Sequence, residues 1–253
     1  MDSNNGTNTV ITNYQAILDA NVNRAKIDLK TFIEFVNYVV ARADKDYINN
    51  IDRFEPIDFI ALDKELWDGF LNTDEIERSF LFSDTRAIGK VCNPPDNISR
   101  DILEREKYTV IYLNNYAIWL STDNSSGFIK HKTHKNKYHS NKKAVAITEK
   151  QILGIRAALS VLYNLNLQKV VSITERNLFV FGITGLLTDY KLMASYVTTE
   201  FGEWVYGEVE FSTEEEAIKF EPDIEFARLY TDEVTYKEIS GLYTQEDIAK
   251  IFS

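Results

Sequence analysis

Beyond residue 105 the hydrophobic period of this chain is two. "KYTVIYL" (107–113), "YAIWLST" (116–122), "YKLMASYVT" (190–198) and "WVYGEVEF" (204–211) are rich in β-branched and aromatic residues, and they alternate along their length. "KVVSITE" (169–175) and "NLFVFGIT" (177–184) read as further strands of the same meander. The links are hairpin-length, as Asn114-Asn115 illustrates, and this imposes antiparallel pairing because a parallel crossover needs about a dozen residues or more. In the last strand Trp204, Tyr206, Glu208 and Glu210 share one face, and Val205, Val209 and Phe211 share the other. A sheet that carries apolar groups on both faces has to be covered on both, by its own helices or by a partner.

The residues before this region have a helical period. In "IDLKTFIEFVNYVVARADKDY" (27–47), Leu29, Phe32, Ile33, Val36, Val40 and Ala43 form one apolar stripe, with Asp28 placed to cap the first turn. "EPIDFIALDKELWDGFL" (55–71) predicts a second helix with Pro56 in its first turn. "TDEIERSFLF" (73–82) predicts a short third helix capped by Thr73. "VCNPPDNIS" (91–99) stops any regular element and makes the best boundary in the chain. Beyond it, "ITEKQILGIRAALSVLYNLNL" (147–167) has Thr148 and Gln151 at capping-box spacing ahead of Ile152, Ile155, Leu159 and Leu162. "STEEEAIKF" (212–220) and "TQEDIAKIF" (244–252) predict two short helices.

The expected fold class is therefore α+β. A polar arm (1–12) precedes a mainly helical region (13–98), which packs with an antiparallel, meander-like sheet and its helices (99–253), the sheet being covered by one long helix. With 44% hydrophobic residues among 253, a core needs neither disulfide nor metal, and the single cysteine, Cys92, excludes both an intrachain disulfide and a cysteine zinc cluster. The formal charge of −11 disfavours whole-surface attraction to nucleic acid or anionic membrane. No apolar run reaches the roughly 18–20 residues of a membrane helix, and the first residues lack a signal-peptide pattern, so intracellular synthesis without membrane insertion is the expectation.

One basic segment stands out against the acidic body. "GFIKHKTHKNKYHSNKKA" (127–144) holds His131, His134 and His139, every histidine of the chain, among Lys130, Lys132, Lys135, Lys137, Lys142 and Lys143. Histidine spacings of three and five with lysines between match no metal motif, and the ammonium groups oppose a cation, so no metal or other cofactor is expected. Between a hairpin and a capped helix the segment reads as a long exposed loop. Its plain role is a solvated connection. Its functional role would be docking, to an acidic protein partner or another copy of the chain, with nucleic acid a further possibility.

No nucleophile elbow, P-loop or kinase set is present. Asp189-x-Lys191 with Glu175 upstream has the acid–x–lysine spacing of PD-(D/E)xK nucleases, in which carboxylates hold Mg²⁺ and the lysine supports the attacking water. The sequence thus favours a non-enzymatic structural or interaction protein, an oligomer or subunit of a larger assembly such as a virion. A metal-dependent nuclease using Glu175, Asp189 and Lys191 is the alternative.

Overall fold

A computed structural model of the chain describes residues 27–46, 53–68, 71–82, 99–113, 116–165, 167, 172–184, 191–199, 202–221 and 230–234. The polar arm, Cys92, the 91–98 part of the proline segment, Asp189 and the 244–252 segment lie outside the described residues. Mixed α+β architecture is what the described residues form, around a large curled antiparallel sheet.

Nine strands make this sheet: β1 (Leu71–Phe82), β2 (Ser99–Leu113), β3 (Tyr116–Ser121), β4 (Gly127–His134), β5 (His139–Ala146), β6 (Ser172–Thr184), β7 (Lys191–Thr199), β8 (Gly202–Glu210) and β9 (Tyr230–Val234). Their order is β5-β4-β3-β2-β6-β7-β8-β1-β9, and β5 pairs in turn with β1. Eight strands therefore close into a ring, with β9 added outside it. β1 makes the closure possible by its length. Its first half, Leu71 to Ile76, pairs with β5; Glu77 to Leu81 pair with β8; and Ser79 to Phe82 also pair with β9. Every pairing is antiparallel. A register shift between Ile102 and Glu104 in the long β2–β6 ladder marks a bulge, the device by which a strand bends enough to close a barrel.

The 73–82 segment, expected to be helical, is most of β1. Its charges misled the periodicity, because Thr73, Glu75, Glu77 and Ser79 alternate with Asp74, Ile76, Arg78 and Phe80 in a pattern that serves a strand with a polar inner and a mixed outer face. The 127–144 segment, expected to be a long loop, is the β4–β5 hairpin. Here too the period is two, with Lys130 and Lys132 alternating with His131 and Thr133, and basic composition obscured it. "KVVSITE" and "NLFVFGIT" merge into the single strand β6.

Helices cover one flank of the barrel from outside. α1 (Leu29–Asp46) begins where Thr31 N donates to Asp28 Oδ1 at 2.7 Å, and α2 (Phe59–Asp68) begins on Asp58, whose Oδ1 accepts from Ile60 N at 2.9 Å and Ala61 N at 3.2 Å. α3 (Glu149–Asn164) carries the complete capping box of Thr148 and Gln151. Asn37 on α1 holds the chain entering α2 through two 2.8 Å hydrogen bonds with the backbone of Ile57. The stripe of α1 and Ile152, Ile155, Leu159 and Leu162 of α3 bury against Ile111, Leu113, Ile118, Leu120, Ile129 and Val145 of the barrel wall. Two glycines set the approach. A Cβ at Gly154 would come within 2.9 Å of Val40 on α1, and one at Gly127 within 2.8 Å of Ile147 and 2.9 Å of Ile152.

On another flank α4 (Glu214–Lys219) is capped by Thr213 with Glu216, and its three first-turn glutamates suit the helix N-terminus. Arg78 ties α4 and β9 to β1. Its guanidinium makes a fork onto Glu233, with Nε to Oε1 at 3.0 Å and Nη2 to Oε2 at 2.6 Å. Nη1 donates to the carbonyls of Phe220 at 2.6 Å and Ala217 at 3.1 Å.

Candidate functional site

The residues that face away from the covering helices line the inside of the ring. On β2 these are Tyr108, Val110 and Tyr112; on β3, Ala117 and Trp119; on β4, Lys130 and Lys132; on β5, Ser140 and Lys142; on β1, Glu75, Glu77, Ser79 and Leu81; on β8, Tyr206, Glu208 and Glu210. Ser79, Leu81 and Tyr206 on this face are buried, as side chains inside a closed eight-stranded ring are expected to be.

Charge is concentrated where β4, β5 and β1 meet. Lys132 Nζ donates to Glu77 Oε1 at 2.5 Å and lies 3.1 Å from Glu75 Oε2. Lys142 Nζ reaches Glu75 Oε1 at 2.5 Å. These are enclosed groups: the side chains of Glu77, Lys132 and Glu75 are 9%, 10% and 16% exposed. Burial pushes the Glu75 carboxyl up, but Lys132 and Lys142 beside it outweigh that and hold it below its ordinary value of 4.5. A depressed folded-state value means Glu75 stabilises the fold above pH 4.5, and that contribution is lost as pH falls through the lower folded value. Melting temperatures measured from pH 7 down to pH 3 should therefore fall less steeply below about pH 4.5 in Glu75→Gln than in the native chain. Parallel curves would contradict the Glu75 ion pairs.

Further round the ring, Lys130 Nζ sits 4.0 Å over the Trp119 ring, and Tyr108 meets Trp119 edge-on at 5.3 Å. Glu210 is the register partner of Glu77, and Glu208 that of Ser79, so β8 carries two more carboxylates on the same face. Ser140 stands opposite Glu75 across the β5–β1 ladder and opposite His134 on β4.

The nine basic residues of the 127–144 segment do not act as one patch. Strand alternation sends Lys130, Lys132, His134 and Lys142 to the inner face. His131 is turned outward between Trp67, at 5.6 Å, and Tyr116, at 4.8 Å, while Lys143 lies 4.2 Å over Trp67. At the hairpin tip Lys135 pairs with Asp74 at 2.8 Å and Lys137 with Glu233 at 3.5 Å. His139 Nδ1 is 2.6 Å from Glu214 Oε1. The three histidines thus go to different environments. Among the described residues no three His, Cys, Asp or Glu side chains converge as a metal site by themselves.

Glu75 and Glu77 escaped the sequence reading because their segment was assigned to a helix. The signal was their i, i+2 spacing, which places two carboxylates on one face of a strand and on different faces of a helix. The nuclease set does not assemble. Glu175 pairs with Thr198 on β7 while Lys191 pairs with Gly182 on β6, seven residues further along the ladder, or roughly 23 Å at strand rise. Glu175 is also exposed.

No family model matches the chain, and no curated protein matches it. Solved structures resemble parts of it. A putative adenylate cyclase from Bacillus halodurans is 13% identical with a TM-score of 0.40, over 73% of this chain and 100% of that one. A putative adenylyl cyclase from Hippeastrum, described as having a dominant triphosphatase activity, is 12% identical with a TM-score of 0.41, over 57% of this chain and 82% of that one. An inorganic triphosphatase is 16% identical with a TM-score of 0.32, over 67% of this chain and 95% of that one. None of these three descriptions is of a structural or virion protein; they name cyclases and a triphosphatase, and the expectation of a non-enzymatic structural subunit or virion component is withdrawn. The nuclease alternative is withdrawn as well, since the β6–β7 register keeps Glu175 and Lys191 apart. Among the described residues no helix is long and apolar enough to cross a membrane.

Proposed function

We propose that the barrel interior binds a triphosphate and transfers its terminal phosphoryl group to water. The observation that carries this reading is the Lys132 ammonium held between Glu75 and Glu77 inside a closed barrel, with Lys142 on the other side of Glu75. Taking such groups out of water costs several kcal/mol per ion, about what apolar side chains in the same place would avoid. A polyvalent anion gives this arrangement a use, since an eight-stranded barrel is wide enough for one small ligand. Lys132 and Lys142 turn from the carboxylates to phosphate oxygens, and Lys130 adds a third ammonium further along β4.

Glu75 and Glu77 then face the bound phosphates with their charges released. The position of Lys132 Nζ, within 3.1 Å of both carboxylates, is one a cation occupies already, so the two residues fit a divalent metal whose remaining ligands come from phosphate and water. Such an ion would neutralise charge on the phosphoryl group as the bond to the leaving oxygen breaks. The protein's own part is to align the phosphates along the β4–β5–β1 wall and to limit the water that reaches them. The triphosphatase activities described for two of the similar structures agree with this substrate class.

The test is orthophosphate release from tripolyphosphate and from nucleoside triphosphates in the presence of magnesium or manganese. Turnover is expected, and Glu75→Gln with Glu77→Gln should lower it about 100-fold or more. Absence of both turnover and binding across these compounds would sink the reading. So would full activity in the double variant.

A further inference from the structure

Ser140 is 1% exposed, and its Oγ finds no hydrogen-bond partner among the described residues. A buried hydroxyl left without a partner is destabilising, and native proteins satisfy nearly all such groups. This one lies where partners should be easiest to find. It is the register partner of Glu75, and it precedes Lys142 by two residues on the same face of β5. The ion pairs of Lys132 and Lys142 with Glu75 occupy the space beside it. We infer that the Ser140 hydroxyl is a substrate contact, donating a hydrogen bond to a phosphate oxygen of the bound triphosphate.

The inference rests on the triphosphate reading and adds a residue to it. When Lys132 and Lys142 move from Glu75 to the phosphates, the hydroxyl beside Glu75 is uncovered and meets an anionic acceptor. A neutral donor at that point distinguishes phosphate oxygens from the carboxylate–ammonium pairing of the empty site, because it needs no counter-charge. Trp204 Nε1 is likewise buried and without a partner among the described residues, but its register partner is Val197 and its same-face neighbours on β8 are Gly202 and Tyr206.

The experiment compares the native chain with Ser140→Ala and Ser140→Thr. Three readouts are taken: the melting temperature without ligand, the rise in melting temperature caused by tripolyphosphate with magnesium, and KM and kcat for tripolyphosphate. Ser140→Ala should melt at or above the native temperature when empty, because a hydroxyl with no partner is removed. Its ligand-induced rise should shrink and its KM increase about tenfold, with kcat affected less. Ser140→Thr, which keeps the hydroxyl, should recover part of the KM. A native KM in Ser140→Ala overturns the inference while leaving the triphosphate reading in place. So does a lowered melting temperature in the empty Ser140→Ala variant with no selective loss of the ligand effect. A native chain that neither binds nor cleaves tripolyphosphate overturns both.

Discussion

Lys132→Met will unfold more readily than the native chain at pH 7, by about 3–5 kcal/mol, because it leaves enclosed carboxylates without the ammonium that compensates them. Lys132 contacts both Glu75 and Glu77, whereas Lys142 contacts Glu75. Glu77, 8% exposed, therefore suffers most. Denaturant unfolding checks the size of the effect. Adding Glu77→Gln to Lys132→Met should restore a large part of the loss, since a neutral amide is cheaper to enclose than an unpaired carboxylate. A Lys132→Met chain as stable as the native one would mean that water reaches these carboxylates freely.

Arg78→Ala should cost about 3 kcal/mol, and it should loosen a different part of the molecule. The guanidinium makes the Glu233 fork, accepts no substitute for its two bonds to the end of α4, and lies 5.4 Å over Phe220 and 5.6 Å over Phe80. Burial pushes the Glu233 carboxyl up, but Arg78 and Lys137 together hold it below its ordinary range, so losing the fork leaves that charge poorly compensated. Amide exchange should accelerate first in α4 and β9, the elements Arg78 ties to β1. Arg78→Lys should recover little, because an ammonium cannot make the planar fork and reach both carbonyls at once. Uniform acceleration across the barrel would instead place Arg78 in the closure of the ring itself.

The sequence was a good guide wherever one local signal decided the element. Asp28 and Thr148 cap the helices their spacing predicts, and the alternation of 191–199 and 202–210 gives β7 and β8. The faces of β8 were legible as well, with Trp204, Tyr206, Glu208 and Glu210 on one side. What covers that side was not. Closure of the ring depends on β5 finding β1 across more than sixty residues of chain, and no local pattern records such a pairing. The candidate site was lost for the same reason. A strand that turns charges inward looks like a solvated helix or a solvated loop, since charge in a sequence is ordinarily evidence of exposure. Glu75, Glu77, Lys132 and Lys142 become a site only once the barrel encloses them.

On the proposed function, a triphosphate occupies the space these four residues enclose. The most direct measurement is a crystal structure with magnesium and a non-hydrolysable imidotriphosphate. Phosphate oxygens are expected within about 3 Å of the Lys132 and Lys142 ammonium groups, with the contact between Lys132 and Glu77 broken. A barrel interior that keeps its ion pairs and holds no phosphate, or a ligand bound instead at Lys135 and Lys137 on the hairpin tip, would contradict it.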